Sequence, residues 1–481
     1  VESDAGETVT LALRDFQIDI YNEARDLVRA GEKSILIQSP TGSGKTVTAA
    51  HIIKSAYDKG HRVWFNVHRR ELVKQSVVTL SESAGLPVGI VAAGFPGNRH
   101  ERVQVCSVGT LARRWHLLTP PALILWDEAH HAVAASWSTI IRQFPNAVHI
   151  GLSATPERLD GTGLGQHFGK LVKGPSVRWL IEREYLSNYR LFAPAGPDLS
   201  GVHTIGGDFN KRELNDAMQR STVVGDAIQH YRKYCQGRRA VLFAWSIESS
   251  QQMAEKFRAA GIPAEHVDGG TDPVARDHAI EQFKRGDIKV LTNVDLFGEG
   301  FDVPAIEAVF MLRPTRSLAL YLQQVGRALR VLPGKDEALI FDHAGNCRMH
   351  GLPDDERDWT LDGRTKRKAK SDAAPIRQCP MCYAVVSAAS SVCRHCGHKF
   401  DIQQREIEQV DGELAEVDVE TMRQQRRQEQ AEAKSLDDLV RVGTLRGYKN
   451  PEKWAKHVHA ARLAKQAARD AAQWASGHAV G

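Results

Sequence analysis

Eight consecutive residues have the types and spacing to cradle a polyphosphate: Ser39-Pro40-Thr41-Gly42-Ser43-Gly44-Lys45-Thr46. Gly42 and Gly44 free the backbone to turn its N–H groups toward phosphate oxygens. Lys45 can reach the β- and γ-phosphates, and the Thr46 hydroxyl can hold Mg²⁺. An apolar run, Ser34 to Ile37, leads in, and a run that reads as helix, Thr46 to Ser55, leads out. That helix would add the positive end of its dipole to the same spot. The usual pattern carries a glycine five residues before the second one, and here that position is Ser39. The loop specifies a nucleoside triphosphate and leaves the use of its energy open.

Three further constellations carry chemistry. Asp127 and Glu128 follow the apolar run Ala122 to Trp126. An acid at the end of a buried strand can bind the Mg²⁺ touched by Thr46, and the next carboxylate can orient or deprotonate an attacking water. Arg327 and Arg330 lie three apart in a predicted helix, Leu318 to Leu332, which places them on one helix face. Their half of the chain has no phosphate loop, so these arginines make sense facing the nucleotide of the first half, where a fixed guanidinium stabilises charge on a transferring phosphoryl group. Cys379, Cys382, Cys393 and Cys396 form two Cys-x-x-Cys knuckles, the spacing of a closed structural zinc site. Clustered cysteines of this kind fit a reducing, cytoplasmic compartment.

The elements that must position these groups alternate. Predicted strands Arg62 to Val67, Val103 to Ser107, Ala122 to Trp126 and Val148 to Leu152 are continuous apolar runs between helical stretches, the pattern of a parallel sheet covered on both faces. Each motif falls at a carboxyl end, where such sheets bind ligands. A second alternation follows a Pro- and Gly-bearing loop, Phe192 to Val202: strand Ala240 to Trp245, helix Ser249 to Ala260, strands Val290 to Asn293 and Ala308 to Leu312. The 481 residues are 42% hydrophobic and 25% charged with net charge +5, enough chain for two or three cores and a mild bias toward a polyanionic partner. The polar, acidic opening Val1 to Thr10 lacks the apolar centre of a secretory signal, and no run reaches membrane-span length.

Together the motifs resemble the superfamily 2 helicases of the DEAD/DEAH-box type: Ser39 to Thr46 as motif I, Asp127 to His131 as motif II, Ser153-Ala154-Thr155-Pro156 as motif III, and Gln323-x-x-Gly326-Arg327-x-x-Arg330 as motif VI. Helicases of this kind commonly lack the first phosphate-loop glycine. The resemblance implies catalytic roles for Lys45, Asp127, Glu128, His130, Gln323, Arg327 and Arg330. It implies ATP contacts from Arg14, Gln17, Thr41, Gly42, Ser43, Gly44, Lys45, Thr46, Gly300 and Asp302, with Arg14 and Gln17 reading the adenine edge. Arg70, Thr110 and Thr292 match positions that contact the nucleic-acid backbone; His131 has no role in the pattern. The zinc knuckles, with Leu445 to Lys449 and Trp454-Ala455, resemble RadD-type bacterial helicases and their phage relatives.

The expectation is therefore an α/β chain. RecA-like parallel-sheet lobes span 11–190 and 191–348, a linker 349–377, a zinc ribbon 378–400 and a helical C-terminal region 401–481. Its basic run, Arg364 to Lys370, is either a solvated linker or a phosphate contact; the C-terminal helix from Trp454 to Trp474 is either basic and amphipathic or simply solvated. The implied activity is ATP hydrolysis driving a nucleic-acid motor, a DNA helicase of repair or recombination on single-stranded or branched DNA, with ATP, Mg²⁺ and Zn²⁺. The alternatives are a duplex translocase without strand separation, or an ATPase-switched recruitment module whose ribbon and tail bind a protein. No residue after Asn346 matches a helicase motif, so the ribbon should be separable from the motor.

Overall fold

Buried β-branched and aromatic residues dictate the two sheets. The computed structural model describes residues 12–131, 135–158, 160–193, 197, 199–219, 223–294, 306–362, 375–400, 428–445, 451–456, 458–460 and 462. It forms two compact units, 1–402 and 403–481.

The first sheet contains β1 (Ser34–Gln38), β2 (Val63–Val67), β3 (Val88–Val91), β4 (Val103–Ser107), β5 (Leu123–Trp126), β6 (Val148–Ser153) and β7 (Lys170–Lys173). Their order is β3-β4-β2-β5-β6-β1-β7, all parallel. β2 and β5 are buried along their whole length, which is why they read as unbroken apolar runs. The ends of β1 and β5 flank β6, so the phosphate loop, Asp127 and Ser153 converge at one edge. Helices α1 (Asp15–Arg29), α2 (Lys45–Asp58), α3 (Arg70–Val78), α4 (Val108–Arg114), α5 (Ala135–Gln143) and α6 (Val177–Glu182) complete the lobe.

The second sheet runs β12-β13-β11-β14-β15-β8. β8 (Tyr189–Phe192) pairs with β15 (Ala338–Asp342), so the expected lobe boundary at 190/191 falls inside a strand of the second lobe. Between β8 and β11 (Ala240–Phe243) stands a small hairpin, β9 (Thr204–Ile205) and β10 (Asp208–Phe209). β12 (Ala264–His266), β13 (Val290–Asn293) and β14 (Ala308–Met311) complete the sheet. The lobe's helices are α7 (Lys211–Gln219), α8 (Val223–Tyr234), α9 (Ile247–Ala259), α10 (Pro273–Arg285), α11 (Leu318–Ala328) and α12 (Asn346–His350).

Two corrections concern the residues beyond the second lobe. Residues 349–362 are not a solvated linker. Arg357 donates to the carbonyls of His350, Leu352, Pro353 and Asp355, Trp359 packs on the main core, and the Leu361 carbonyl accepts from Gly165 N–H in the first lobe. The run Arg364 to Lys370 lies outside the described residues. The ribbon, whose strands are β16 (Ile376–Gln378) and β17 (Val385–Ser387), is not separate either. Val385 joins the main core, and Arg394 Nη1 donates to the buried Asp354 carboxylate at 3.0 Å while lying 4.7 Å over the Tyr189 ring. Asp354 also accepts from the Tyr189 hydroxyl and from Arg178 on α6. A carboxylate 3% exposed needs such partners, and they tie ribbon, second lobe and α6 to one atom pair.

The second unit is described in part. In it α13 (Leu436–Leu445) buries Leu439 against Ala433 and Ala455. Most of the anticipated helix Trp454 to Trp474 lies outside the described residues. Among the described residues no helix is long and apolar enough to cross a membrane.

Candidate ATP site and nucleic-acid interface

The phosphate loop is built from the inside of α1 outward. Gly42 and Gly44 sit at φ of +87° and +86°, the left-handed conformation that admits glycine. A Cβ on Gly44 would lie 2.6 Å from Gln17 Nε2. Gln17 is buried, its Oε1 accepting from Arg14 N–H at 3.0 Å and its Nε2 donating to the carbonyls of Ser43 (3.0 Å) and Gly44 (3.3 Å). The amide expected at an adenine edge is thus turned onto the loop backbone, which it shapes. Arg14 lies 4.7 Å over the Tyr185 ring beside it. Tyr185 was invisible in the sequence, since a turn about 140 residues from the loop carries no local signal. Ser39 fills the missing-glycine position with a bond to Ser43 across the loop, Oγ to Oγ at 2.7 Å.

Lys45 Nζ donates to the carbonyls of Ser39 (3.2 Å) and Pro40 (3.5 Å). Burial lowers its pKa, Glu128 and Asp127 oppose the shift, and the charges of Arg327 and Arg330 add to it. Arginines in the second lobe are therefore close enough to be felt by the phosphate-loop ammonium. Burial, and then the neighbouring Glu128, push Asp127 up to about 7. Two crowded carboxylates at the end of β5 are hard oxygen donors, so this donor set fits Mg²⁺.

Glu128 follows at φ of +49°, rare for a residue with a Cβ. Its carboxylate lies 3.4 Å from His130 Nδ1. Ser153 Oγ gives its one proton to the Thr155 carbonyl at 2.6 Å, so it accepts from His130 Nδ1–H at 3.1 Å. His130 Nε2 lies 3.3 Å from Gln323 Nε2 across the lobe boundary. Motifs II, III and VI so meet at one imidazole.

The lobes touch closely there. A Cβ on Gly326 would lie 2.5 Å from Thr41 Cβ, and one on Gly42 would lie 3.5 Å from Arg330 Cγ. Arg327 is buried in the last turn of α11. Arg330 is not on that helix, contrary to expectation. α11 stops at Ala328, whose carbonyl accepts from Lys335 Nζ; just beyond it Ser187 N–H takes the Leu329 oxygen at 2.7 Å and Lys335 Nζ that of Arg330.

A cleft of about 450 Å³ is lined by Arg69 of the first lobe and by Phe209, Lys211, Trp245 and Arg313 of the second. Of the expected nucleic-acid contacts, Arg70 opens α3 and Thr110 lies half-buried on α4. Thr292 is fully buried, donating to the Ser250 carbonyl at 2.8 Å and accepting from Ser250 Oγ at 3.0 Å. Trp245 and Arg313, an aromatic and a cation just past strand ends, carry no longer-range signal in the sequence. Gly300 and Asp302 lie outside the described residues.

The four cysteine sulfurs lie within 4.8 Å of one another, with Cys379–Cys396 at 3.6 Å and Cys382–Cys393 at 3.7 Å. Sulfurs at about 2.3 Å from a central Zn²⁺ are separated by about 3.8 Å, so the residues fit the metal.

Residues 10–158 match the family described as "Type III restriction enzyme, res subunit", and residues 224–332 the "Helicase conserved C-terminal domain". A 51.5 kDa protein of a Lactococcus phage (isolate 7-9) is 37% identical over 391 residues, 81% of this chain and 83% of its own. IRC3 of Saccharomyces cerevisiae, named as an ATP-dependent helicase, is 32% identical over 69% of this chain; the chain spans 51% of that protein's length. Among solved structures, a fragment named as the HsdR subunit of a type I restriction enzyme from Vibrio vulnificus YJ016 shares the fold at 21% identity, with TM-score 0.57 over 73% of this chain and 67% of its own.

Proposed function

The chain belongs to the superfamily 2 helicases, ATP-hydrolysing nucleic-acid motors, and on that premise we propose that it is a DNA helicase of repair or recombination acting on single-stranded or branched DNA. Lys45 and the loop N–H groups would hold the β- and γ-phosphates, and Thr46 and Asp127 would hold Mg²⁺. When bound, Mg²⁺ neutralises charge on the phosphate oxygens. Glu128, restrained by His130, orients the attacking water. Arg327 and Arg330 stabilise the charge on the transferring group and so belong to hydrolysis only while the lobes are closed.

One observation carries this reading: the contact from Gln323 to His130, which makes the hydrolytic site the property of two lobes. Alternating closure and opening would move the lobes along a strand held in the cleft between Arg69 and Arg313. Backbone contacts then dominate, so binding tolerates sequence and weakens with salt. The docked four-cysteine ribbon, with Met381 68% and Tyr383 51% exposed, offers a surface for a protein partner, and its thiols suit a reducing cytoplasm.

The test measures ATPase rate against single-stranded, duplex, forked and RNA substrates, with strand displacement on the fork. Stimulation by single-stranded or forked DNA with displacement is expected. Stimulation by duplex alone without displacement would replace the helicase with a translocase, and stimulation by RNA alone would overturn the DNA assignment.

A further inference from the structure

Three imidazoles of the first lobe stand in a row. His68 and His131 have ring centroids 4.4 Å apart at 35°, and His131 and His130 are 4.3 Å apart at 40°. At one end, His68 immediately precedes Arg69, the residue that caps α3 and lines the inter-lobe cleft. At the other, His130 Nδ1 lies 3.4 Å from the Glu128 carboxylate and its Nε2 3.3 Å from Gln323 Nε2. His131 is the middle rung. Its backbone N–H donates to the carbonyl of Glu128, whose φ is +49°, at 3.0 Å, while its ring lies between those of His68 and His130.

Rings in van der Waals contact inside a packed lobe do not slide independently, so displacing one end displaces the other. A phosphate drawing on Arg69 shifts the start of α3 and the adjoining His68. We propose that His131 is a positioning residue that couples strand occupancy at Arg69 to the setting of Glu128 and Gln323, so that hydrolysis accelerates when nucleic acid is bound. This rests on the reading of the cleft as the strand site. The coupling is steric, and its requirement is a flat ring at position 131.

The experiment compares the full chain with His131→Ala and His131→Phe. It measures ATP turnover without nucleic acid, turnover at saturating oligo-dT, and the Kd for labelled oligo-dT. For His131→Ala we expect basal turnover and Kd within a few-fold of the parent, and stimulated turnover lowered by about ten-fold, within the usual range of coupling between sites. His131→Phe, which restores a ring, should recover most of the stimulation. Should His131→Ala fail to fold by circular dichroism, His131→Gln takes its place with the same expectations. Undiminished stimulation in the ringless variant overturns the coupling alone. A parallel fall in basal and stimulated turnover overturns it too, by placing His131 in the hydrolytic site. Absence of stimulation in the parent by any nucleic acid overturns the strand-site reading and the coupling with it.

Discussion

Glu128 carries the hydrolytic proposal at the scale of one side chain. A non-glycine residue at φ of +49° stores local strain, and such strain persists where surrounding contacts overdetermine it. Here the 3₁₀ turn Ala129–His131 and the imidazole of His130 supply those contacts. Glu128→Gln keeps the shape and loses the base. It should bind ATP·Mg²⁺ like the parent while kcat falls by roughly 10²–10⁴-fold, measured by nucleotide binding beside steady-state turnover. Near-parental turnover would remove the residue from the mechanism. His343 makes a different residue-scale point. Burial, reinforced by the neighbouring His230, pushes its pKa down to about 3. The unfolded imidazole titrates near 6.5, so the unfolded state binds the proton first. Stability from this site is full above about pH 6.5 and is lost as pH falls toward 3. His343→Phe, beside Phe310, should flatten the fall of Tm across that window, and a slope unchanged from the parent would show that other groups govern acid unfolding.

Elements changed meaning once packed. The motif VI helix ends two residues before Arg330, and Lys335 and Ser187 take the carbonyls just beyond its end, so the two arginines approach the phosphate loop from a helix and from a bend. The ribbon is docked through Arg394. Arg394→Ala leaves Asp354 buried with Arg178 and Tyr189 only. Removing a partner from a buried carboxylate costs about 3–5 kcal/mol. The Arg394 side chain is itself 37% exposed, so we expect about 1–3 kcal/mol, read as a lower Tm of the motor. Chelating the metal, or Cys393→Ser, should release Arg394 and lower the same transition. A motor transition unchanged on metal loss would return the ribbon to the separable module that the motif count suggested.

At the scale of the whole molecule, hydrolysis depends on how closely the lobes meet. Gly326 faces Thr41 with no room for a methyl group: the added Cβ would lie 2.5 Å from Thr41 Cβ and 2.8 Å from its Cγ2. Gly326→Ala should therefore hold the lobes apart. Nucleotide affinity, set mainly by the first lobe, should stay within a few-fold while kcat falls by about 10²-fold, as for misplacement of a catalytic group. Thr41→Gly in the same chain removes the clashing atoms and should recover part of the loss relative to Gly326→Ala alone. Full activity in Gly326→Ala would mean that hydrolysis does not require this closure.

Chemistry carried by contiguous residues was legible in the chain itself. The phosphate loop, the Asp127–Glu128 pair, the cysteine knuckles and the fully buried strands each rest on spacings of a few residues; the loop and the carboxylate pair follow strands, and the four sulfurs lie together. Contacts between distant residues were not, because no local pattern records them. Gln17 turned onto the loop backbone, Thr292 is fully buried, and Arg330 stands past the end of its helix. The contact from Gln323 to His130 joins side chains 193 positions apart, and Arg394 reaches Asp354 across 40. Sequence determined which groups could do the chemistry; burial and the packing of one lobe on the other decided which of them meet.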